Sequence, residues 1–520
     1  MKSKPYAWLS PVTPMRWWST VRLVQGSLML AAMAANLDAA PRTLLLVDDH
    51  DVLYHSGIRR EVQPLTRHAG NPVITPGDAR SQLAYCSTYR NPETGRYQMW
   101  YQTYGNGYGV AYAESADGLS WIKPELNLVT MKGMQAKNVV LTSPEHYGAS
   151  VVVDPPGGDP TRRYKMAFWS IYPVEGATPP DGDKRGPKGG VFVAFSADGI
   201  HWEKHPDLVI RGAYGRSSAP PLLGDATYRW GPPLTTSDVV DASWDPIAKT
   251  YLIYAKAWID APDGTTFWKR AIVRTESRDF VHWAKPELVM SPDEFDGETP
   301  AKFGGARQGV QLHGAPVFVH EGVYFALVQP AFFESNGHQP IELAFSRDGR
   351  EWTRPFRTSL FLPVDGGTAF DSGRIWSSST PVFLEDEIRF YYGAYEHPWN
   401  SKMKNPKSGI GLAVLPRDRF VAVRPIETIG QVTLKPVWLQ EADGITVNAN
   451  AVKGAVRVEL LNDGLYRVPG FTKDDAVPIT DDGLRHRARW KSAPGTKFTP
   501  GNYVIRIHLD NAKVFAVTLN

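Results

Sequence analysis

The stretch Ser196-Ala197-Asp198-Gly199-Ile200-His201-Trp202 is one of four copies of a short pattern that divides this 520-residue chain. The other copies begin at Ser115, Ser277 and Ser346, and an eroded fifth copy begins at Pro416. The aspartates of successive copies lie 81, 81, 69 and 70 residues apart. A period of this length indicates a repeated supersecondary unit, so the pattern predicts five similar units.

Each copy lies between two predicted β-strands, such as the apolar run 190–195 before the second copy. Asp-Gly supplies the positive φ of a tight turn, and the aspartate can accept hydrogen bonds from turn amides. In the third copy Phe280 replaces glycine, which predicts a different turn type there. Equivalent turns in every unit cannot all lie at one active site, so we interpret these aspartates as part of the scaffold.

A second hairpin signal precedes each copy, for example at residues 91–97 and 320–324. Aromatic, alternating runs such as Met99-Trp100-Tyr101 follow these turns and are typical of propeller strands. The strand before each of these turns is then the innermost strand and lines a central channel. The sequence therefore predicts an all-β protein with a five-bladed β-propeller over residues 65–428.

The repeated pattern stops after Pro425, and the remaining segment alternates between apolar and polar residues. Asn462-Asp463-Gly464 is a strong hairpin signal between two such runs. The length of the segment is that of a β-sandwich, which we predict for residues 430–520.

Four basic residues and no acidic ones lie in residues 1–35, where an apolar run at 28–35 ends in small residues. This pattern predicts a signal peptide, with cleavage up to about residue 40, and export to the periplasm or the outside of the cell. The alternative is a disordered or membrane-tethering N-terminus. Residues 41–64 are predicted to form a leading segment packed on the propeller.

Removing residues 1–35 changes the formal net charge from +3 to −1, so the basic balance gives no support to nucleic-acid binding. The apolar run is too short for a permanent membrane helix, and no membrane association is expected after cleavage. The single cysteine, Cys86, lies in an apolar strand and is interpreted as a core residue. No nucleotide-binding loop, nucleophile elbow or Cys/His metal cluster occurs, so no cofactor is expected.

The turn pattern, the propeller and the C-terminal sandwich together resemble the glycoside hydrolases of families 32, 43, 62, 68 and 117. The stretches 95–101 and 111–118 look most like the first blade of relatives in families 32 and 43. The resemblance implies acidic side chains on innermost strands at one channel mouth, where one carboxyl protonates the leaving oxygen and another activates water or attacks the sugar. Structural calcium in the channel is compatible with this architecture, although no ligand loop in the sequence specifies it.

The chain departs from the family pattern in its first blade, because residues 81–91 contain no acidic side chain where family 32 has Asn-Asp-Pro-Asn-Gly. The Arg-Asp-Pro and Glu-Cys motifs are also absent from the expected blades. Catalysis is therefore either rearranged or lost.

Asp238 is the first catalytic candidate because it lies seven residues before the Asp245-Pro246 turn, where related enzymes place an essential acid. The structural alternative is a strand-end cap or a salt bridge. Asp371 enters the inner strand of the fifth blade, where Arg374 could bind substrate and Trp376 could stack on a sugar. Asp371 and Arg374 could equally form a structural pair.

Asp78 and His146 occupy the corresponding approaches of blades one and two, as a catalytic and a substrate-binding candidate. His313 in the fourth blade is a catalytic candidate, with Gln311 beside it as a substrate-binding one. A histidine there can be a core residue, but family 117 resembles this arrangement in using a histidine as general acid. Glu298, on a loop before the fourth blade, is a further acid candidate or a solvated side chain.

The leading hypothesis is an exported glycosidase acting on an oligo- or polysaccharide. Asp238 is its essential carboxylate, Asp78 or Asp371 the base or nucleophile, and His313 or Glu298 the acid. The alternatives are a carbohydrate-binding propeller without catalysis and, more weakly, a propeller that binds proteins on its exposed blade tops. Two carboxyl groups at glycosidase distance would favour the enzyme, and a mouth of aromatic and amide groups would favour the binder.

Overall fold

The computed structural model describes residues 41–77, 81–105, 107–129, 137–142, 146–171, 189–212, 236–260, 267–296, 309–333, 335–440, 444–491 and 498–520. In these ranges the regular structure is β-strand throughout, apart from short 3-10 turns at Pro160–Arg162 and Glu294–Asp296. The all-β prediction is confirmed. No helix in this part of the chain is long and apolar enough to cross a membrane.

The strands of the leading segment and of the first two repeat units follow one another along the chain. The leading segment contains β1 (Arg42–Leu45), β2 (Val52–Ser56) and β3 (Ile58–Val62), and β4 (Thr66–Arg67) follows it at the start of the repeat region. The first unit contains β5 (Gln82–Arg90), β6 (Tyr97–Tyr104), β7 (Tyr108–Ser115) and β8 (Val139–Thr142). The second unit contains β9 (His146–Val153), β10 (Tyr164–Ile171), β11 (Gly189–Ser196), β12 (Glu203–Lys204) and β13 (Ile210–Gly212).

Three further units continue this succession. The third contains β14 (Val240–Asp245), β15 (Thr250–Asp260), β16 (Phe267–Ser277) and β17 (Glu287–Met290). The fourth contains β18 (Val310–Leu312), β19 (Val317–His320), β20 (Val323–Val328), β21 (Pro330–Phe332) and β22 (Glu342–Ser346). The fifth contains β23 (Arg374–Trp376), β24 (Val382–Phe383), β25 (Glu387–Tyr395) and β26 (Ser408–Pro416).

In the first and third units the strands pair antiparallel in chain order, as the sheets β5-β6-β7-β8 and β14-β15-β16-β17, whereas in the fourth unit β18 pairs with β21 and β20 pairs with both β19 and β22. The fifth unit is completed from the start of the chain, because β4 pairs with β26 through Arg67 and Ala413. Strands from the two ends of the propeller region therefore share one sheet.

The repeated turn is held by its serine and aspartate. In the second copy the amide of Gly199 donates to Ser196 Oγ at 2.9 Å, and the amides of Ile200 and His201 donate to Asp198 Oδ1. Equivalent bonds occur in the first, third and fourth copies. In the first copy the backbone N–H groups of Ser120 and Leu119 lower the pKa of Asp117. The aspartates therefore act within their own turns.

The prediction of a different turn type at Phe280 is wrong. Phe280 adopts φ +67°, close to the +81° of Gly199, and its amide donates to Ser277 Oγ at 2.9 Å. The side chain is fully buried and packs edge-on against Phe195 and Tyr251. These aromatic contacts offset the backbone strain of a bulky residue at positive φ.

Each repeated turn also contacts an aromatic side chain of the preceding unit. The indole of Trp100 donates to the carbonyl of Gly199 at 2.6 Å, and the hydroxyl of Tyr254 donates to Gly349 at 2.7 Å. The hydroxyl of Tyr391 in the fifth unit donates to the carbonyl of Gly118 in the first at 2.7 Å. The remaining turns use Phe280 against Phe195, and Phe420 stacked on Phe325 with centroids 4.3 Å apart.

The innermost segments of the five units contact one another in a closed ring within the described part of the chain. Val151 donates to Ser87, Ser150 donates to the Ala242 carbonyl, and β14 contacts β19. Ser377 then donates to Leu327, and Thr88 to Thr380, which returns to the first unit. The number of blades stays a prediction, and this ring of contacts supports it.

The C-terminal strands form two sheets that enclose a common apolar core, which includes Val432, Ile505 and Trp490. One sheet has the order β3-β27-β34-β30-β32 with β1 on β34, and the other has the order β2-β28-β33-β29 with β31 on β33. The strands not yet introduced are β27 (Val421–Pro425), β28 (Ile429–Leu434), β29 (Val437–Leu439), β30 (Ile445–Asn450), β31 (Ala455–Asn462), β32 (Asp482–Arg487), β33 (Gly501–Asp510) and β34 (Lys513–Leu519).

The leading segment joins this sandwich to the repeat units. Its strands β1, β2 and β3 pair with β34, β28 and β27, respectively. The side chains of Leu45 and Val62 are buried in a cluster with Phe325 and Phe390 of the fourth and fifth units. Arg347, in the turn of the fourth unit, donates to the carboxylate of Asp48.

We expect Gly199→Ala to destabilise the protein more than Gly322→Ala. Both glycines have positive φ (+81° and +74°), so each alanine incurs a backbone cost of about 1–2 kcal/mol. A Cβ on Gly199 would lie 2.5 Å from Trp100, whereas a Cβ on Gly322 meets nothing within 4 Å. Crowding of a buried side chain adds about 1–3 kcal/mol at Gly199.

Denaturant unfolding of the two variants and the wild type measures these free energies. Equal losses in the two variants would show that the turn does not depend on its contact with the preceding unit.

Candidate functional site

The structure describes most of the predicted site residues, but Asp78 and Glu298 lie outside the described ranges. His146 begins β9 and its backbone pairs with Ser170, while its side chain is outside the described part. Gln311 is fully buried in β18, opposite Ala331 of β21.

Asp238 lies two residues before β14, at the end of the ring where the innermost strands β5, β9 and β14 begin. Its carboxylate forms an ion pair with the ammonium group of Lys256 on β15. The sheet register explains this pair, since Val240 is opposite Ala255 and the amide of Lys256 donates to the carbonyl of Val239. The Asp238 side chain keeps 24% of its surface exposed, against 3% for Lys256.

The pair determines the ionisation of both groups. Burial alone would raise the pKa of Asp238, but the charge and hydrogen bond of Lys256, with Arg270 nearby, hold it well below its ordinary value. Burial and the charge of Arg270 lower the pKa of Lys256 to about 8, against the opposing effect of Asp238. Near pH 7 the site therefore holds an ionised carboxylate beside a charged lysine.

His313 follows β18 and joins the same group. Its ring stacks on Trp399 with centroids 4.9 Å apart and meets Trp376 edge-on at 6.5 Å. Burial, followed by the charges of Lys256 and Arg270, lowers the pKa of His313 well below its ordinary value. His313 is therefore neutral near pH 7, which favours hydrogen bonding to a substrate over proton donation from an imidazolium.

Arg374 and Trp376 on β23 line the same region. The Arg374 guanidinium lies over Trp399 at 4.3 Å and over Trp376 at 5.3 Å, and its Nε donates to the carbonyl of His397 at 3.0 Å. Burial and Arg374 lower the pKa of His397 to about 4. Trp376 is buried, whereas Trp399 is partly exposed and presents the accessible aromatic surface.

Tyr85, Asp241 and Trp399 belong to this region and are not among the predicted residues. Tyr85 sits at a β-bulge in β5 with φ +35°, and its ring contacts Trp376 at 5.8 Å. Burial, then the charges of Asp238 and Asp241, raises the pKa of Tyr85 well above its ordinary value. A strained backbone in a functional region is a signal that sequence alone does not carry.

Asp241 is a second carboxyl of this region and lies on β14, three residues after Asp238. It is buried, and its Oδ2 has no hydrogen-bond partner among the described residues. Burial raises the pKa of Asp241 well above its ordinary value, which favours the protonated form of this carboxyl. A lone aspartate inside the apolar run Val239-Val240-Asp241-Ala242 is the sequence signal that could have indicated it.

Asp371 has partners other than Arg374. Its Oδ2 accepts from Arg67 Nε at 2.7 Å and from the hydroxyl of Tyr392 at 2.8 Å, and its side chain is 1% exposed. Arg67 belongs to β4, so this buried pair fixes the strand that completes the fifth sheet. The contacts favour a structural role, and the catalytic role of Asp371 stays a prediction.

The described residues of the site bring together two carboxyls whose pKa values are shifted in opposite directions, a neutral imidazole and an aromatic surface. Groups whose pKa values are pushed apart in this way can divide proton acceptance and donation between them. Among the described residues, no group of three or more His, Cys, Asp or Glu side chains could hold a metal ion. Channel calcium stays a prediction.

No known family profile matches the sequence, and no curated protein is detectably similar to it. Among solved structures, the chain resembles a glycoside hydrolase (16% identity, TM-score 0.44, 69% of this chain and 92% of the other). It also resembles an N-acetylgalactosamine deacetylase from F. plautii (16%, 0.41, 69% and 96%) and a thermostable family-43 glycoside hydrolase (13%, 0.41, 68% and 94%). Likenesses at this level do not bear on activity, so the function is argued from the chain's own residues.

We expect Lys256→Met to lower the free energy of unfolding by about 3 kcal/mol, because it leaves the Asp238 carboxylate without its counter-ion. The double variant Asp238→Asn/Lys256→Met should recover most of this loss, since no charge remains to be neutralised. Chemical denaturation of the two single variants, the double variant and the wild type forms a double-mutant cycle. Additive losses would mean that the pair does not interact.

Proposed function

We propose that this protein is an exported glycoside hydrolase that cleaves an oligo- or polysaccharide at the end of the ring where Asp238 lies. The observation that carries the proposal is the ionised and partly exposed Asp238 carboxylate, which is paired with buried Lys256. His313 and Arg270 lie near this pair, and both contact the partly exposed ring of Trp399. Export is proposed from the basic and apolar pattern of residues 1–35 alone.

Glycoside hydrolysis needs a proton donor and a proton acceptor or nucleophile. Asp238 supplies neither proton, because a carboxylate whose pKa is held so low accepts protons poorly; it stays ionised and stabilises positive charge at the reacting sugar. The proton donor must be protonated in the resting site, a state that the raised pKa of Asp241 favours and the lowered pKa of His313 disfavours. Predicted Glu298 and Asp78 complete the set of acids from which donor and base are drawn.

The aromatic surface supplies the binding side of the proposal. Sugar rings have an apolar face that packs on aromatic side chains, and Trp399 presents such a surface backed by His313 and Arg374. The guanidinium of Arg270 lies 5.4 Å from the same ring. A sugar on Trp399 would therefore lie among fixed hydrogen-bond donors.

We expect Asp238→Asn to lower kcat roughly a thousandfold, because the neutral amide cannot stabilise positive charge at the reacting sugar. The measurement is hydrolysis of aryl-glycosides and polysaccharides by the purified mature protein. Asp463→Asn, a matched change at an exposed hairpin turn, should retain full activity.

If the wild type hydrolyses a substrate and Asp238→Asn does so at the same rate, Asp238 is not essential and the catalytic acids are to be sought among Asp78, Asp241 and Glu298. Melting temperatures of both variants show whether a lost rate reflects lost folding.

We also expect activity to fall as the pH rises through about 8. Lys256 has its pKa near 8, so above this pH it loses the charge that neutralises Asp238. Lys256→Arg should move the alkaline limb upward, because a guanidinium stays protonated. The measurement is kcat/KM against pH for both proteins. If the alkaline limb lies at the same pH in the variant, a group other than Lys256 causes it.

The alternative is a propeller that binds a glycan without cleaving it. One observation favours it, since the described innermost strand of the first unit, Gln82–Arg90, carries no acidic side chain. Glycan-array binding by a wild type that hydrolyses no substrate would select this alternative.

A further inference from the structure

The outward face of the second C-terminal sheet carries polar side chains in register across four strands. Ser56 of β2 is opposite Gln431 of β28, which is opposite His508 of β33, which is opposite Arg457 of β31. The adjacent core-facing residues, such as Ile507 and Leu509, belong to the sandwich core. A polar row of this kind is not needed to hold the two sheets together.

Glu459 lies on the same sheet, and neighbouring basic side chains pair with its carboxylate. Glu459 is fully buried, and its carboxylate accepts from Arg467 Nε and His508 Nε2, both at 2.9 Å. Arg506 adds a third contact to Glu459 at 3.4 Å. Glu459 therefore has its own counter-ions and does not neutralise other cations on this face.

Above this network lies an open cavity of about 430 Å³, whose lining includes Arg457, Lys473, Gln431 and Asp510. No ion pair among the described residues includes Arg457 or Lys473. The cavity thus contains two cations without a paired acid and one carboxylate, Asp510, whose recorded hydrogen bond is with Asn511.

One side of the cavity is apolar. Ile429 is 71% exposed there, and Gly57 and Gly430 form the neighbouring wall. The cavity therefore combines an apolar side with cations and hydrogen-bonding groups.

We propose that this cavity is a second binding site, which holds an anionic sugar unit of a polysaccharide away from the Asp238 site. Arg457 and Lys473 would bind the carboxylate or sulfate group, with Arg457 able to do so through two parallel hydrogen bonds. Gln431 and Asp510 would bind sugar hydroxyls, and Ile429 would pack on the apolar face of the ring. That the anion is carried by a sugar rests on the proposed function.

The test is binding of de-esterified polygalacturonate, a carboxylated polysaccharide, to the mature protein by isothermal titration calorimetry at two salt concentrations. We expect Arg457→Ala/Lys473→Ala to weaken binding at least tenfold and to reduce its salt dependence. The matched control is Lys435→Ala/Lys453→Ala, which removes two exposed lysines of the same module. Equal weakening in the two double variants would overturn the proposal, because it would show unspecific charge attraction.

Two further ligands identify the group that is bound. If a sulfated polysaccharide binds through Arg457 and Lys473 and polygalacturonate does not bind, the site is supported and its anion is a sulfate group. If inorganic sulfate binds as tightly as either polysaccharide, the proposal that the site recognises a sugar is overturned. A wild type that binds none of these polysaccharides also overturns the proposal.

Asp238→Asn separates this site from the proposed function. If the protein hydrolyses no substrate but binds anionic polysaccharide through Arg457 and Lys473, the second site stands and the proposed function falls. If hydrolysis depends on Asp238 but the Arg457/Lys473 variant binds polysaccharide normally, the second site falls alone.

Discussion

The ring depends on a single contact that is repeated around it, in which each positive-φ turn rests on an aromatic side chain of the unit before. The turn alone fixes only a hairpin, but its carbonyl or side chain also meets Trp100, Tyr254 or Tyr391 in the neighbouring sheet. The contact between Tyr391 and Gly118 joins the last unit to the first. One local motif thus supplies both the hairpins and the closure between sheets.

Because the sheets close into a ring, the protein can bury charged side chains that water would surround on an open sheet. Removing an ammonium group from water is costly, and Lys256 meets that cost through its pair with Asp238 and a lowered pKa. The pKa of Asp241 is shifted in the opposite direction, because burial raises it and no cation offsets that effect. Two carboxyls only three residues apart therefore have pKa values shifted in opposite directions, because Asp238 has Lys256 beside it.

Sequence reasoning found what is encoded locally. The Ser-x-Asp-Gly pattern predicted the turns and the repeated units, and the spacing to Asp245-Pro246 placed Asp238 at the start of an inner strand. The partners of these residues depend on tertiary pairing: Lys256 reaches Asp238 only through the register of β14 and β15, and Arg67 reaches Asp371 from more than 300 residues away. Phe280 shows the same limit, since its left-handed backbone is stabilised by aromatic rings of other strands.

The pairing of β1 with β34 has a consequence for how the chain acquires its structure. Strand β1 pairs with β34, more than 460 residues later in the sequence, and the fifth sheet is complete only when β4 pairs with β26. Contacts between such distant segments give the fold a high contact order, which slows folding because long loops must close first. A growing chain can therefore assemble its middle sheets early, while β1 remains without its partner until residues 513–519 have been made.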